Sequence, residues 1–322
     1  MDRRMFVKGF TFGWMGRRGE YREPYAVDSL KKLKDTGCES IAFAFDTPQD
    51  TVLSTRVYFD YEMSPTDKDI CFIIDKAHEM GMEVCLKPVI NPRDGLWRAY
   101  IDFPDGADHY WKAWFASYRA YMRHYAEIAE ETGCEMYCIG CEMVGTQRKT
   151  AYWREVIDVV RGVYHGIVTY NANHGNEDGI DWLGDLDLIG ISGYYPVGRQ
   201  TDGSVEGLMA NWQKVKEKLY GIHKRFGPNI YFAEIGCRSA KGCLDMPWDG
   251  ATELPYDEDE QAKFYLTALK AFWDEPWFSG YHWWDWSHKL YSIDEAKTDR
   301  SFGIYGKKAE AILREWYSKE VK

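Results

Sequence analysis

The sequence predicts a single (β/α)₈ barrel, and three observations carry that expectation. Strand-like apolar runs alternate with helical pattern along the chain, eight such runs occur within 322 residues, and no repeat, low-complexity tract or linker interrupts them. Alternating strands and helices build a parallel sheet from right-handed crossover units. Eight units in a chain of this length close into a barrel rather than an open sheet. An open doubly wound sheet would carry a glycine-rich phosphate turn after its first strand. The segment at that place, Gly13-Trp14-Met15-Gly16-Arg17-Arg18-Gly19, has the spacing G-x-x-G-x-x-G and opens no helix.

The elements follow in order. Residues 7–12 are the first strand; a helix over 25–36 then stops at Thr36-Gly37, and residues 40–45 are the second strand. Glycine ends these helices because it accepts the left-handed conformation of a C-terminal cap. A helix over 66–80 ends the same way at Met80-Gly81 before strand three, 83–88. In the next, long helix Trp111, Trp114, Phe115, Tyr118, Met122 and Tyr125 keep three-four spacing, and Thr132-Gly133 ends it before strand four, 135–140. Strands five to eight are 166–171, 186–192, 230–235 and 280–286, and an amphipathic helix over 306–319 closes the chain. The least regular stretches, 46–64, 89–108, 194–204 and 236–257, follow strands two, three, six and seven. They fall on the C-terminal face, where barrel enzymes keep their chemistry. Residues 1–322 read as one domain.

Composition narrows the function. A hydrophobic share of 45% with 28% charged residues excludes a disordered chain. The net charge of −11, with no basic face in evidence, opposes a nucleic-acid or anionic-membrane partner. No apolar run approaches the ~18 residues of a membrane span. The N-terminal residues move straight into strand-like sequence with no signal peptide, and the eight cysteines sit mostly inside apolar strands or helices, as buried free thiols do. A cytoplasmic protein is the expectation. Aromatic residues make up 16%, including 14 Trp and 23 Tyr, which suits a core and suits sugar stacking equally.

Two carboxylates close otherwise apolar strands: Glu142 after Cys138-Ile139-Gly140-Cys141, and Glu234 in Tyr231-Phe232-Ala233-Glu234. A charge there must be paired, hydrogen-bonded or in a cleft. The fourth and seventh strands of a barrel face each other across its mouth. Two carboxylates ~5 Å apart suit a retaining glycosidase, and ~6.5–9.5 Å an inverting one. Competing chemistries lack their residues. The histidines show no H-E-x-x-H spacing, and no G-x-S-x-G elbow occurs. Cys134 and Cys138 share one face of a strand and Cys141 takes the other, which argues against a shared metal. The acidic run Asp257-Glu258-Asp259-Glu260 reads as the first turn of a helix. No metal or cofactor is implied.

These residues resemble the clan A glycoside hydrolases, whose barrels place the acid/base at the end of strand four and the nucleophile at the end of strand seven. Within the clan, the chain is most similar to glycoside hydrolase family 113, the β-1,4-mannanases. The similarity rests on Lys8-Gly9-Phe10-Thr11, Ile139-Gly140-Cys141-Glu142, Ile191-Ser192-Gly193-Tyr194-Tyr195-Pro196, Ala233-Glu234-Ile235-Gly236-Cys237-Arg238-Ser239 and Trp283-Trp284-Asp285-Trp286, and covers nearly the whole length. It implies a retaining hydrolase of β-1,4-mannosidic links in oligosaccharides, with Glu142 as proton donor and Glu234 as nucleophile. Without a signal peptide or a separate carbohydrate-binding module, short imported oligosaccharides are expected before polymeric mannan.

One departure stands out. Most of the clan has Asn before the acid/base, where its amide binds the sugar 2-hydroxyl; here the residue is Cys141, a poor hydrogen-bond former. A changed partner is consistent with the axial 2-hydroxyl of mannose, and Asn171 or Asn173 could supply the amide. One of Tyr194 and Tyr195, with Tyr195 favoured, would hydrogen-bond the nucleophile by resemblance. The clan also places a Trp under the scissile sugar. Alternation puts Trp284 and Trp286 on one face of strand eight and Trp283 on the other, and Trp284 is the choice. Lys87 reads equally as a contact to substrate hydroxyls and as an ion pair with Glu142 or Glu234; Asn91 follows it as a substrate contact. Trp14 and Arg238 are subsite candidates whose structural reading comes first. Glu142 has to cycle between protonated and ionised forms, so its pKa is expected above the usual ~4.3 and that of Glu234 lower. The alternatives are another clan A activity on a gluco-type substrate, a transglycosylase, a sugar-binding barrel without catalysis, and a phosphosugar barrel, of which Arg238 and Lys241 beside Gly236 and Gly242 are a faint echo.

Overall fold

Eight parallel strands pair in sequence order and the eighth returns to the first, closing the barrel. The computed structural model describes residues 5–321; residues 1–4 of the N-terminal segment read above lie outside the described residues. The strands are β1 (Val7–Phe12), β2 (Ser40–Gln49), β3 (Glu83–Pro92), β4 (Met136–Cys141), β5 (Ile167–Asn173), β6 (Leu188–Ser192), β7 (Ile230–Ile235) and β8 (Phe278–Trp286). Among the described residues seven α-helices cover them: α1 (Pro24–Lys34), α2 (Asp67–Glu79), α3 (Asp108–Glu131), α4 (Thr150–Arg161), α5 (Val205–Phe226), α6 (Glu258–Phe272) and α7 (Lys308–Tyr317). Between β5 and β6 the crossover holds two short 3₁₀ turns, Glu177–Gly179 and Leu183–Asp185.

Each strand is buried on both faces, which is why it reads as an apolar run rather than an alternating one. The outward side chains, among them Phe10, Phe12, Ile41, Phe43 and Phe45, merge with the apolar stripes of the helices into one continuous core. The inward ones, Val7, Ala42, Cys85, Met136, Cys138, Leu188, Tyr231 and Ala233, fill the barrel floor. Above that floor stand Ala44, Val89 and Cys141. The predicted helix stops hold: Gly37, Gly81 and Gly133 all have positive φ. Thr66 starts α2 with a reciprocal capping box, its hydroxyl accepting from the Asp69 N–H while the Asp69 carboxylate accepts from Thr66. The two sides of the closing seam are tied from below. Lys8 Nζ donates to the carbonyls of Tyr317 (2.8 Å) and Lys319 (2.9 Å), and the Tyr317 hydroxyl donates to the Gly9 carbonyl.

Three expectations need correction. β2 and β3 run on to Gln49 and Pro92, pairing residue by residue from Phe45↔Pro88 to Gln49↔Pro92, so the irregular stretches begin later than predicted. The polar residues Asp46, Thr47 and Gln49 look like loop sequence, yet they are buried in the extended pair. Cys134 and Cys138 do not share a face: Cys134 precedes β4 and joins the outer core, while Cys138 points into the barrel. The register with β5 then shifts between Cys138 and Cys141, a bulge that turns Cys141 inward as well. All eight cysteines are free thiols. Among the described residues no His, Cys, Asp or Glu cluster is arranged to hold a metal, and no helix is long and apolar enough to cross a membrane.

Candidate active site

Glu142 lies one residue beyond β4, just past the bulge. Its φ of 53° is in the left-handed region, which costs energy for any residue with a side chain. The surrounding contacts hold it there. Its N–H donates to the Asn171 carbonyl at 2.8 Å. Its carboxylate accepts from Asn173 Nδ2 on Oε1 (3.1 Å), and from Trp97 Nε1 and Arg98 Nη2 on Oε2 (both 3.3 Å). Burial opposes ionisation, but the Arg98 guanidinium and the Asn173 amide, with Ser192 and Lys87 behind them, outweigh it. The carboxyl is held below its usual range, which reverses the expectation of a raised Glu142.

Glu234 sits inside β7, and its partners come from the barrel wall. Lys87 of β3 reaches Oε1 at 2.5 Å, the Cys141 thiol donates to the same oxygen at 3.3 Å, and the Tyr194 hydroxyl donates to Oε2 at 3.3 Å. Burial acts to lower the Lys87 pKa, yet the Glu234 carboxylate holds the ammonium well above its ordinary value. Both glutamates open into one cleft of about 560 Å³. Trp14, Trp97, Trp248, Trp284 and Phe302 form its apolar walls; Arg98, Asn173, His174 and Tyr194 supply the remaining polar groups. A hollow of similar volume beside α5 lies at the N-terminal ends of β7 and β8, on the face opposite the two glutamates, and its Glu275 is already taken by Lys216 and the Trp277 indole. Two carboxylates in an aromatic cleft, one on a buried ammonium and the other on a guanidinium, are equipped for proton transfer and nucleophilic attack at a sugar.

Residues 10–307 match the family model of glycoside hydrolase family 113. The chain belongs to glycoside hydrolase family 113. Solved structures of the family superpose over almost the whole length. A GH113 β-1,4-mannanase determined as a complex is 35% identical with a TM-score of 0.91, covering 98% of this chain and 100% of that one. Another structure of a GH113 β-1,4-mannanase is 34% identical at a TM-score of 0.90, with coverage of 98% and 100%. The GH113 β-mannanase AaManA from Alicyclobacillus acidocaldarius, in complex with ManMIm, is 37% identical at a TM-score of 0.90, with coverage of 98% and 97%. A comparison with curated proteins gives no match. The protein is a glycoside hydrolase.

In this family 113 enzyme the sequence-predicted residues divide. Trp284 lines the cleft with Trp14 tilted against it, ring centroids 5.7 Å apart, and Asn173 reaches Glu142. Lys87 takes the ion-pair reading, with Glu234 as partner. Cys141 bonds despite its weak chemistry: it donates to Glu234 and accepts from Asn171 Nδ2 at 3.2 Å, so Asn171 supports the thiol rather than lining the cleft. The tyrosines are reversed. Tyr194 reaches the carboxylate, whereas the Tyr195 hydroxyl turns away to Glu177 Oε1 at 2.7 Å. Trp283 does not reach the mouth, because it stacks on Tyr265 of α6 at 3.9 Å. Trp286 also faces the helices, its indole donating to Ser29. Strict alternation fails here because the β1–β8 register shifts between Phe10 and Phe12. Asn91 lies outside the cleft lining, with its amide against Met15 Sδ at 3.8 Å. Arg238 ties down the segment after β7 through the Thr252 carbonyl and Asp249.

Sequence reasoning missed Trp97, Arg98, His174, Trp248 and Phe302. Trp97, Arg98 and Trp248 belong to the irregular stretches after β3 and β7, where no periodicity marks a residue as inward. His174 directly follows Asn173 and packs between Tyr195 and Trp248, and burial lowers its pKa. Its place just past a strand end is the one available signal.

Proposed function

We propose that this enzyme hydrolyses β-1,4-mannosidic links with retention, Glu234 acting as nucleophile and Glu142 as acid and then base. The observation that carries the reading is the pair itself: both carboxylates, from the ends of opposite strands, open into one aromatic cleft. The substrate class follows the two family 113 structures described as β-1,4-mannanases. In the first step a Glu234 oxygen attacks the anomeric carbon, the bond to the leaving oxygen breaks, and Glu142 gives that oxygen its proton. In the second, water attacks the same carbon, its proton passes to Glu142, and the Glu234 carboxylate is released. Lys87, Tyr194 and the Cys141 thiol hold Glu234 in line and disperse its charge. Trp284 and Trp14 offer flat faces to the sugar rings. A thiol where most of clan A has an amide changes the partner next to the 2-hydroxyl, which fits an axial group there.

The test is product analysis with β-1,4-linked manno-, gluco- and mixed oligosaccharides of about two to six units, using wild type and Glu234→Ala, with NMR identification of the first anomer released. Cleavage of the manno series with the β-anomer formed first is the expected result. Preference for the gluco series would discard the substrate assignment, and an α-anomer formed first would discard the mechanism.

A further inference from the structure

Two consecutive residues of the segment after β3, Trp97 and Arg98, place N–H donors on one oxygen of Glu142, Oε2, each at 3.3 Å. Arg98 also donates through Nε to the Cys141 carbonyl at 3.0 Å. It therefore grips the backbone before Glu142 and the Glu142 side chain together. Its segment is held by backbone packing. Residues Arg98–Tyr100 form a 3₁₀ turn, and a second one, Val144–Thr146, follows Glu142. The two meet at Gly145, where a Cβ would lie 2.4 Å from the Ile101 carbonyl oxygen and 3.0 Å from that of Ala99. A bare backbone at 145 is what lets the Trp97–Arg98 segment come this close to Glu142.

Resting on the assignment of Glu142 as acid/base, we infer that Trp97 and Arg98 are positioning residues that hold its carboxylate in the ionised, base-ready form, favouring the second displacement and opposing the first. An indole and a guanidinium are donors only, so a proton cannot reside on Oε2 while both contacts stand. On Oε1 the Asn173 amide likewise donates. The other groups facing this carboxylate are Lys87 from β3, Cys141 from β4, Ser192 from β6, His174 and Tyr194 after β5 and β6, and Glu234 from β7. Lys87 is paired with Glu234, and burial keeps His174 towards its neutral form. Among the described residues Arg98 is the cation whose hydrogen bond goes to Glu142 itself.

The pH dependence separates this from a structural role. The first step needs Glu142 protonated, so the alkaline limb of kcat/KM on manno-oligosaccharides reports loss of that proton. The second needs it ionised, so the acid limb of kcat on a dinitrophenyl β-mannobioside, whose first step is fast, reports the same group. Arg98→Gln is expected to move both limbs upward by about one pH unit or more, as loss of a neighbouring opposite charge does. Arg98→Lys keeps the charge and leaves both limbs within a few tenths of a unit of wild type. Gly145→Ala, which pushes the segment back without touching a charge, moves them the same way as Arg98→Gln. Unmoved limbs in Arg98→Gln, or equal shifts in the Gln and Lys variants, would overturn the inference. Glu142→Ala guards the underlying assignment: an alkaline limb and full rate surviving in that variant would remove Glu142 from the reaction, a different failure from a clamp that does not act.

Discussion

The ends of β4 and β7 carry the same side chain in unlike settings. Glu234 stands within β7, and Lys87 and Cys141, two of the three groups bonded to it, are themselves on strands of the barrel wall. Glu142 stands past its strand on a left-handed backbone, and two of its side-chain donors, Trp97 and Arg98, come from a connecting segment. A nucleophile has to be held still on a rigid frame, whereas an acid/base has to exchange a proton with whatever enters beside it. Strands give the first and loops the second.

Three predictions probe this contrast, the largest effect first. Glu234→Ala should lose about 10⁴-fold or more in kcat on every mannoside, and added azide should yield the α-mannosyl azide. Glu142→Ala should lose about 10²–10⁴-fold in kcat/KM on manno-oligosaccharides and far less in kcat/KM on the dinitrophenyl substrate, where the loss falls on kcat, with azide giving the β-azide. An exchange of these two product anomers between the variants would exchange the roles. Next, Lys87→Met leaves the buried Glu234 carboxylate without its cation and should cost about 3–5 kcal/mol in a denaturant melt. Arg98→Gln, at a site closer to solvent, should cost clearly less. Equal costs would erase the distinction between wall and loop. Smallest, Tyr194→Phe removes a hydrogen bond to a charged acceptor and should lower kcat about tenfold. Tyr195→Phe should leave kcat unchanged while its lost bond to Glu177 lowers Tm by a few degrees. The opposite pattern would return the nucleophile's tyrosine to position 195.

How much of this is legible in the sequence depends on whether a residue's setting is local. Glu142 and Glu234 announce themselves because a carboxylate that ends an apolar run must find a partner or a cleft. Lys87 does so for the same reason without naming its partner. Tyr194 and Tyr195 are adjacent at the point where the strand gives way to a turn, so which one faces inward is set by Glu177 eighteen residues earlier in the sequence. Strict alternation places Trp284 and Trp286 on one face, and a register shift against β1 separates them. A bulge of this kind depends on the neighbouring strand and leaves no mark on its own sequence. Asp46–Gln49 read as loop because the partners that let this polarity be buried include distant ones, the Trp114 indole that donates to Gln49 and the Arg93 guanidinium on Asp46. Arg98 is invisible for a simpler reason. Nothing in the pattern of 89–108 says that Gly145 makes room for it.

The seam between β1 and β8 also sets a timetable. Val7 pairs with Gly280, and the Lys8 ammonium waits for carbonyls at Tyr317 and Lys319. On a ribosome adding ~5–20 residues per second, roughly 15 to 50 s separate the emergence of the first strand from that of its last neighbour. Throughout that interval β1 has one unpaired edge, the kind of surface on which nascent chains pair wrongly. The barrel cannot close progressively from its beginning; closure is a late event, completed when the Lys8 side chain finds α7.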